Sequence, residues 1–175
     1  ADPSEAVQKT NDYMTAYGDT DCIYATGEDY ITPAADVIKS RGITDCKIYG
    51  SNISPSVCQL IMDGQVEACT GGEFVCGSLA VTLLINYLDG NPIKDADGTA
   101  PYFDNLTQFM VTAENAEDFY EFLSDENLAT HTISDEEYQN LLVRNNPDVD
   151  YDYFYDFLTN YEENVYAKVE ANAAQ

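Results

Sequence analysis

The sequence predicts an α/β fold, a parallel sheet flanked by helices with a helical carboxyl-terminal extension, and three observations carry that prediction. Short apolar runs alternate with helical segments through the first half of the chain. Hydroxyl-proline pairs and glycines punctuate them, and a strongly acidic, tyrosine-rich stretch follows. With 175 residues and 45% hydrophobic content, the chain can bury one real core and carry an appendage.

Each element has its own signal. Ser4 to Ala16 reads as a helix, with Ser4 as N-cap and Gly18 as its stop. Cys22-Ile23-Tyr24-Ala25 is apolar throughout, the mark of a buried parallel strand rather than a half-exposed one. Thr32-Pro33 predicts the start of a helix with proline at its first position, Val37 and Ile38 on its stripe and Gly42 at its end. Lys47 to Gly50 is the next strand. Ser54-Pro55 opens a second helix over Val57, Leu60 and Ile61, Gly64 closes it, and Val66 to Thr70 is the third strand. Right-handed βαβ units then give a parallel sheet covered on its faces.

Phe74 to Leu88 is the most apolar helix, expected to be largely buried, and Asp89-Gly90-Asn91-Pro92 breaks it. Phe109-Met110-Val111 reads as a final strand and Ala113 to Ser124 as a helix. Ser134-Asp135-Glu136-Glu137 is a capping box that opens a helix through Leu141, Leu142 and Val143, stopped by Asn146-Pro147. A last helix runs from Asp150 to Ala171, with Tyr151, Phe154, Phe157, Leu158 and Tyr161 at helical spacing.

Charge excludes whole classes of partner. The formal net charge of −25 repels phosphate backbones and anionic membranes, so nucleic acid is not expected to bind. Residues 113 to 175 hold 16 of the 32 carboxylates, against Arg144 and Lys168, which sets the tail apart. Fourteen tyrosines and seven phenylalanines nevertheless supply the apolar area that a disordered acidic segment lacks. The five cysteines, Cys22, Cys46, Cys58, Cys69 and Cys76, have no zinc spacing and read as small buried hydrophobes. No run approaches 18 apolar residues, and the start carries no leader pattern, which reads as a processed or truncated soluble chain.

In open parallel α/β sheets ligands bind beyond the carboxyl ends of the strands, where helix N-termini and loop backbones converge. That rule selects three loops: Gly27, Glu28, Asp29 and Tyr30 after the first strand, Ser51 and Asn52 after the second, and Gly71, Gly72 and Glu73 after the third. Their carboxylates, amide, hydroxyls and glycines suit hydrogen bonding to a polyhydroxylated solute or ionic bonding to a cationic one. No catalytic residue is expected. The one histidine, His131, sits in the acidic connector, far from these loops and unable to serve as base to a nucleophile there. Asp95-Ala96-Asp97-Gly98 resembles half of a calcium loop, but Ile93 stands at the first ligand position, so it reads as a solvated turn; no metal or cofactor is expected.

The order of these pieces is specific. Ile23-Tyr24-Ala25, the helix ending Val37-Ile38-Lys39-Ser40-Arg41-Gly42, Lys47-Ile48-Tyr49-Gly50, then Pro55, Ile61, Asp63-Gly64, Val66, Ala68, Gly77, Leu88 and Gly90 resemble the type I periplasmic sugar-binding proteins of ABC importers. The resemblance runs from residue 4 to about residue 120 and is to the carboxyl-terminal lobe. It implies a lobe over 1–127 and an acidic helical extension over 128–175, packed as two helices. It also implies a non-enzymatic receptor for a sugar-like ligand, held in an interlobe cleft and handed to a membrane permease. The expected location is extracytoplasmic, either periplasmic or lipid-anchored at the surface.

The binding positions depart from the family. Gly27-Glu28 stand where it has Asn-Asp, Asn52 where it has aspartate, and Gly72 or Gly71 where a glutamine often contacts sugar. The implied amino-terminal lobe and first strands are not in this sequence, which leaves a sheet edge open to dimerisation. Two other readings share the fold: the effector core of a lactose-repressor-like regulator and a ligand-sensing ectodomain. A helix-turn-helix upstream would mark the first, and the −25 charge leans away from it.

Overall fold

The computed structural model describes residues 2–73, 75–104, 106–124 and 132–174. The first helix, α1 (Pro3–Ala16), is capped by Asp2 and not by Ser4: the Ser4 N–H and Oγ donate to Asp2 Oδ1 at 2.9 and 2.7 Å. Proline is pre-organised for the first helical position, which puts the cap one residue before Pro3. Tyr17, ahead of Gly18, is the C-cap.

Strand β1 (Cys22–Ala25) leads into α2 (Glu28–Ser40), which begins ahead of Thr32-Pro33. The Gly27 carbonyl accepts the Tyr30 and Ile31 N–H groups at 2.9 and 3.0 Å, and Ile31 is fully buried with Ala34, Ala35, Val37 and Ile38. Burial of Ile31 draws the helix start back and leaves Pro33 inside the helix, where it gives up the N–H bond and its ring crowds the Asp29 carbonyl. Then come β2 (Lys47–Ser51), α3 (Pro55–Met62) and β3 (Ala68–Gly71), with Ser54 capping α3 as expected. Gly42 and Gly64 take left-handed φ values of 66° and 70° just past α2 and α3, the stops that the sequence marks.

The sheet order is β1-β2-β3-β4, with β4 at Phe109–Thr112. β1/β2 and β2/β3 are parallel, with Ile23 beside Ile48 and Gly50 beside Cys69. Burial alternates along the strands: Ala25, Ile48, Cys69 and Val111 are buried, whereas Tyr24, Tyr49 and Met110 are 62%, 38% and 47% exposed. The expectation of strands buried on both faces is thus corrected. Because the strand order advances in one direction, right-handed crossovers place α2 and α3 on the same side. Helix α1 packs on α2, and α5 (Ala116–Ser124) packs on α3. That last helix starts at Ala116 rather than Ala113 because Asn115 Oδ1 takes the Thr112 N–H at 2.8 Å.

The chain forms two compact units, residues 1–71 with 110–126, and residues 72–109 with 127–175. The boundary at 127/128 expected from the sequence falls outside the described residues, as does His131. In the second unit, α4 (Val75–Leu88) overturns the expectation of a largely buried helix. Thr82 and Asn86 are fully buried, while Val81, Leu84, Tyr87 and Leu88 are 51 to 72% exposed. The reason is polar: Asn86 Nδ2 donates to Leu141 O at 2.9 Å and Asn86 Oδ1 accepts the Val143 N–H at 3.0 Å. Satisfying a buried amide with two backbone partners fixes which side of the helix turns inward.

Among the described residues the extension holds three helices, not two. The capping box forms as predicted, with Glu137 N–H on Ser134 Oγ at 3.2 Å and Ser134 N–H on Glu137 Oε2 at 2.6 Å. It opens a short α6 (Asp135–Asn140), which ends before the buried Leu141 and Leu142. The long terminal helix breaks at Asn160 into α7 (Tyr151–Thr159) and α8 (Tyr161–Ala173). Phe103 stacks on Tyr151 with centroids 4.9 Å apart, and Lys168 Nζ bridges Glu137 Oε2 at 2.5 Å and Thr132 O at 3.2 Å. Cys46, Cys58 and Cys69 are buried as expected, whereas Cys22 and Cys76 are exposed.

Candidate ligand-binding site

The first unit brings two of the predicted loops together. Gly27 is the N-cap of α2 in extended backbone, so Glu28, Asp29 and Tyr30 form the helix's first turn instead of a free loop. Carboxylates there are favoured by the helix dipole. The Ser56 hydroxyl donates to Glu28 Oε1, and Ser56 Oγ lies 3.0 Å from Ser54 Oγ. Thus the first turn of α2 and the first turn of α3 are joined by side chains at the carboxyl ends of β1 and β2. Ser51 ends β2, and Asn52 follows at φ 76°, a left-handed conformation that asparagine tolerates far better than branched residues.

Gly50 lets this junction close. A Cβ there would meet Ile31 Cδ1 at 2.4 Å and the Ala25 carbonyl at 3.1 Å, so only glycine admits α2 against β2 at this level. Glu28 and Ser51 are half-buried, while Asp29 and Asn52 are exposed. Gly71 is the buried end of β3. Tyr30 lines a different feature, a groove of about 340 Å³ with Glu5, Lys9, Tyr13, Tyr24 and Thr26. Gly72 and Glu73 belong to the second unit, where Gly72 is buried at φ 119° and Glu73 is half-buried.

Sequence reasoning missed Ser56. Its only mark is a hydroxyl in the turn after the Ser54-Pro55 signal, and such residues are common in helix first turns. It also missed Tyr13 and Tyr24, because nothing local shows that α1 and β1 flank one groove. Among the described residues, no group of three or more His, Cys, Asp or Glu could hold a metal ion. The Asp95 and Asp97 carboxylates instead accept the Thr99 N–H at 3.2 and 2.9 Å, making a polar turn.

The family profile of the periplasmic binding protein domain matches residues 1–92, more than half of the chain. The chain belongs to that family. Among curated proteins no match is found. Solved structures agree with the fold. The arabinose transporter component of Shewanella sp. ANA-3, bound to α- and β-L-arabinofuranose, is 19% identical with a TM-score of 0.58 over 73% of this chain and 42% of its own. A periplasmic sugar-binding protein of Pseudomonas fluorescens is 17% identical with a TM-score of 0.61 over 87% of this chain and 45% of its own. An arabinose-binding protein of Geobacillus stearothermophilus is 19% identical with a TM-score of 0.55, over 68% and 42%. The chain therefore spans less than half the length of these solved chains. No described helix is long and apolar enough to cross a membrane.

Proposed function

We propose that the chain is part of the solute receptor of an ABC-type importer, binding a small polar ligand of the sugar class without transforming it. The receptor would hold the ligand in an interlobe cleft, present it to a membrane permease, and work outside the cytoplasmic membrane. One observation carries the reading: Glu28, Ser54 and Ser56 converge at the carboxyl ends of parallel strands, beside Ser51 and Asn52. Carboxylate, hydroxyl and amide groups there supply both acceptors and donors, the pairing that vicinal hydroxyls require. The fold neighbours that bind arabinose support the ligand class. Among the described residues β1 is the end strand of the sheet, and its outer edge would admit a second copy.

Thermal unfolding with L-arabinose, D-galactose, D-ribose, myo-inositol and uridine tests this. A saturable rise is expected with at least one of them; ligand at a hundredfold over its Kd stabilises by about 2.7 kcal/mol. Glu28→Ala and Asn52→Ala should each remove the rise. A chain that none of the five stabilises, or that turns one of them over, contradicts the proposal.

A further inference from the structure

The chain leaves the first compact unit after Gly71 and returns to it after Phe109. Both points are held by one short piece of the carboxyl-terminal extension. Gly72, the first residue past the outward crossing, has φ 119°, and a Cβ on it would stand 3.0 Å from Tyr161 Cε1 and 3.7 Å from Cδ1. At the return crossing, the Phe109 ring lies 6.4 Å from the Tyr161 ring, tilted by 47°. Tyr161 itself is fully buried and is the first residue of α8.

A second grip lies two residues before Phe109. The Thr107 N–H donates to Leu158 O at 3.3 Å, its hydroxyl lies 3.2 Å from both Leu158 O and Thr159 O, and it accepts the Glu162 N–H at 3.1 Å. These partners are the end of α7 and the start of α8, so orphan groups of a helix break are satisfied by the crossing segment. Glycine at φ 119° is a point where the backbone turns freely. A rigid aromatic packed on it removes that freedom.

We propose that Tyr161 is a positioning residue for both crossings, so that the α7–α8 junction braces the backbone segments through which the two compact units are connected. In a receptor that closes by bending at such segments, the extension would set how easily they bend. That consequence rests on the receptor reading above; the brace itself does not.

Hydrogen exchange on the 175-residue chain, with no ligand added, tests the brace independently of any ligand result. Tyr161→Leu should raise exchange of amides in 70–73 and 107–111 at least tenfold over wild type. Tyr161→Phe keeps the ring and should stay within twofold. Phe154→Leu, another buried aromatic substitution in the same unit, should leave those amides no faster than the rest of 75–104 and 132–174. An even rise throughout that unit in Tyr161→Leu, or none at the crossings, overturns the proposal. Wild type gives a second reading that needs no folded variant: amides at both crossings should open together with those of Tyr161 to Lys168 as urea is added. Protection at the crossings tenfold or more below that of α8 overturns it as well.

Discussion

The two compact units differ most in the polar groups they bury. In the first, hydrocarbon fills the space between strands and helices: Ile31, Ile48, Val57, Ile61, Phe119 and Phe122 are at most 2% exposed, and Thr10 is the one buried polar side chain among the described residues. In the second, Phe154, Tyr161 and aliphatic side chains share the interior with the buried Thr82, Asn86 and Thr132. Burial pushes the Tyr161 phenol up to about 12, which keeps it neutral at any ordinary pH. A hydrocarbon core tolerates exchange of one hydrocarbon for another, whereas a polar anchor has one set of partners. Side-chain volume therefore limits the first unit, and hydrogen-bond geometry the second.

The sharpest way to break that contrast is Asn86→Ala, expected to cost about 3 kcal/mol because the Leu141 carbonyl and Val143 N–H lose their buried partner. Urea denaturation measures it, and a loss no larger than that of a surface alanine would make the second unit's core a matter of packing alone. Gly50→Ala probes the first unit, where the new methyl overlaps Ile31 and the loss should be about 2 kcal/mol. Trimming Ile31 to Val in the same chain should recover part of it.

The smallest effect concerns pH. Burial pushes the Glu137 carboxyl up, but hydrogen bonds from Lys168 and Ser134 outweigh it and hold the group below its ordinary value of 4.5. A carboxylate with a lowered folded pKa contributes stability that is present above 4.5 and lost as pH falls through the folded value. Glu137→Gln should cost about 1 kcal/mol at neutral pH and flatten the acid side of the melting-temperature profile, the difference from wild type vanishing once pH falls below the folded pKa.

The sequence carried the first unit well. Alternating apolar runs, Ser54-Pro55 and the glycines Gly42 and Gly64 place its strands and helices because each signal acts within a few residues. The candidate site was half legible for the same reason: strand ends mark Glu28, Ser51 and Asn52, but the Ser56 hydroxyl reaches Glu28 across 28 positions of sequence. The second unit was read less well. Apolar content made α4 a buried helix, yet the side it buries was chosen by Asn86, whose partners lie 55 and 57 residues away.

What the amino-acid sequence determined by itself was local: element type, caps, stops and the capping box at Ser134. Tertiary structure decided which face of each element is covered. The outward side of Tyr24 and Tyr49 follows from crossovers that place α2 and α3 on one side of the sheet, and the inward row of α4 from two backbone groups that a buried amide must satisfy. Neither constraint is written within one turn or one strand, because both arise only when distant segments compete for the same partner.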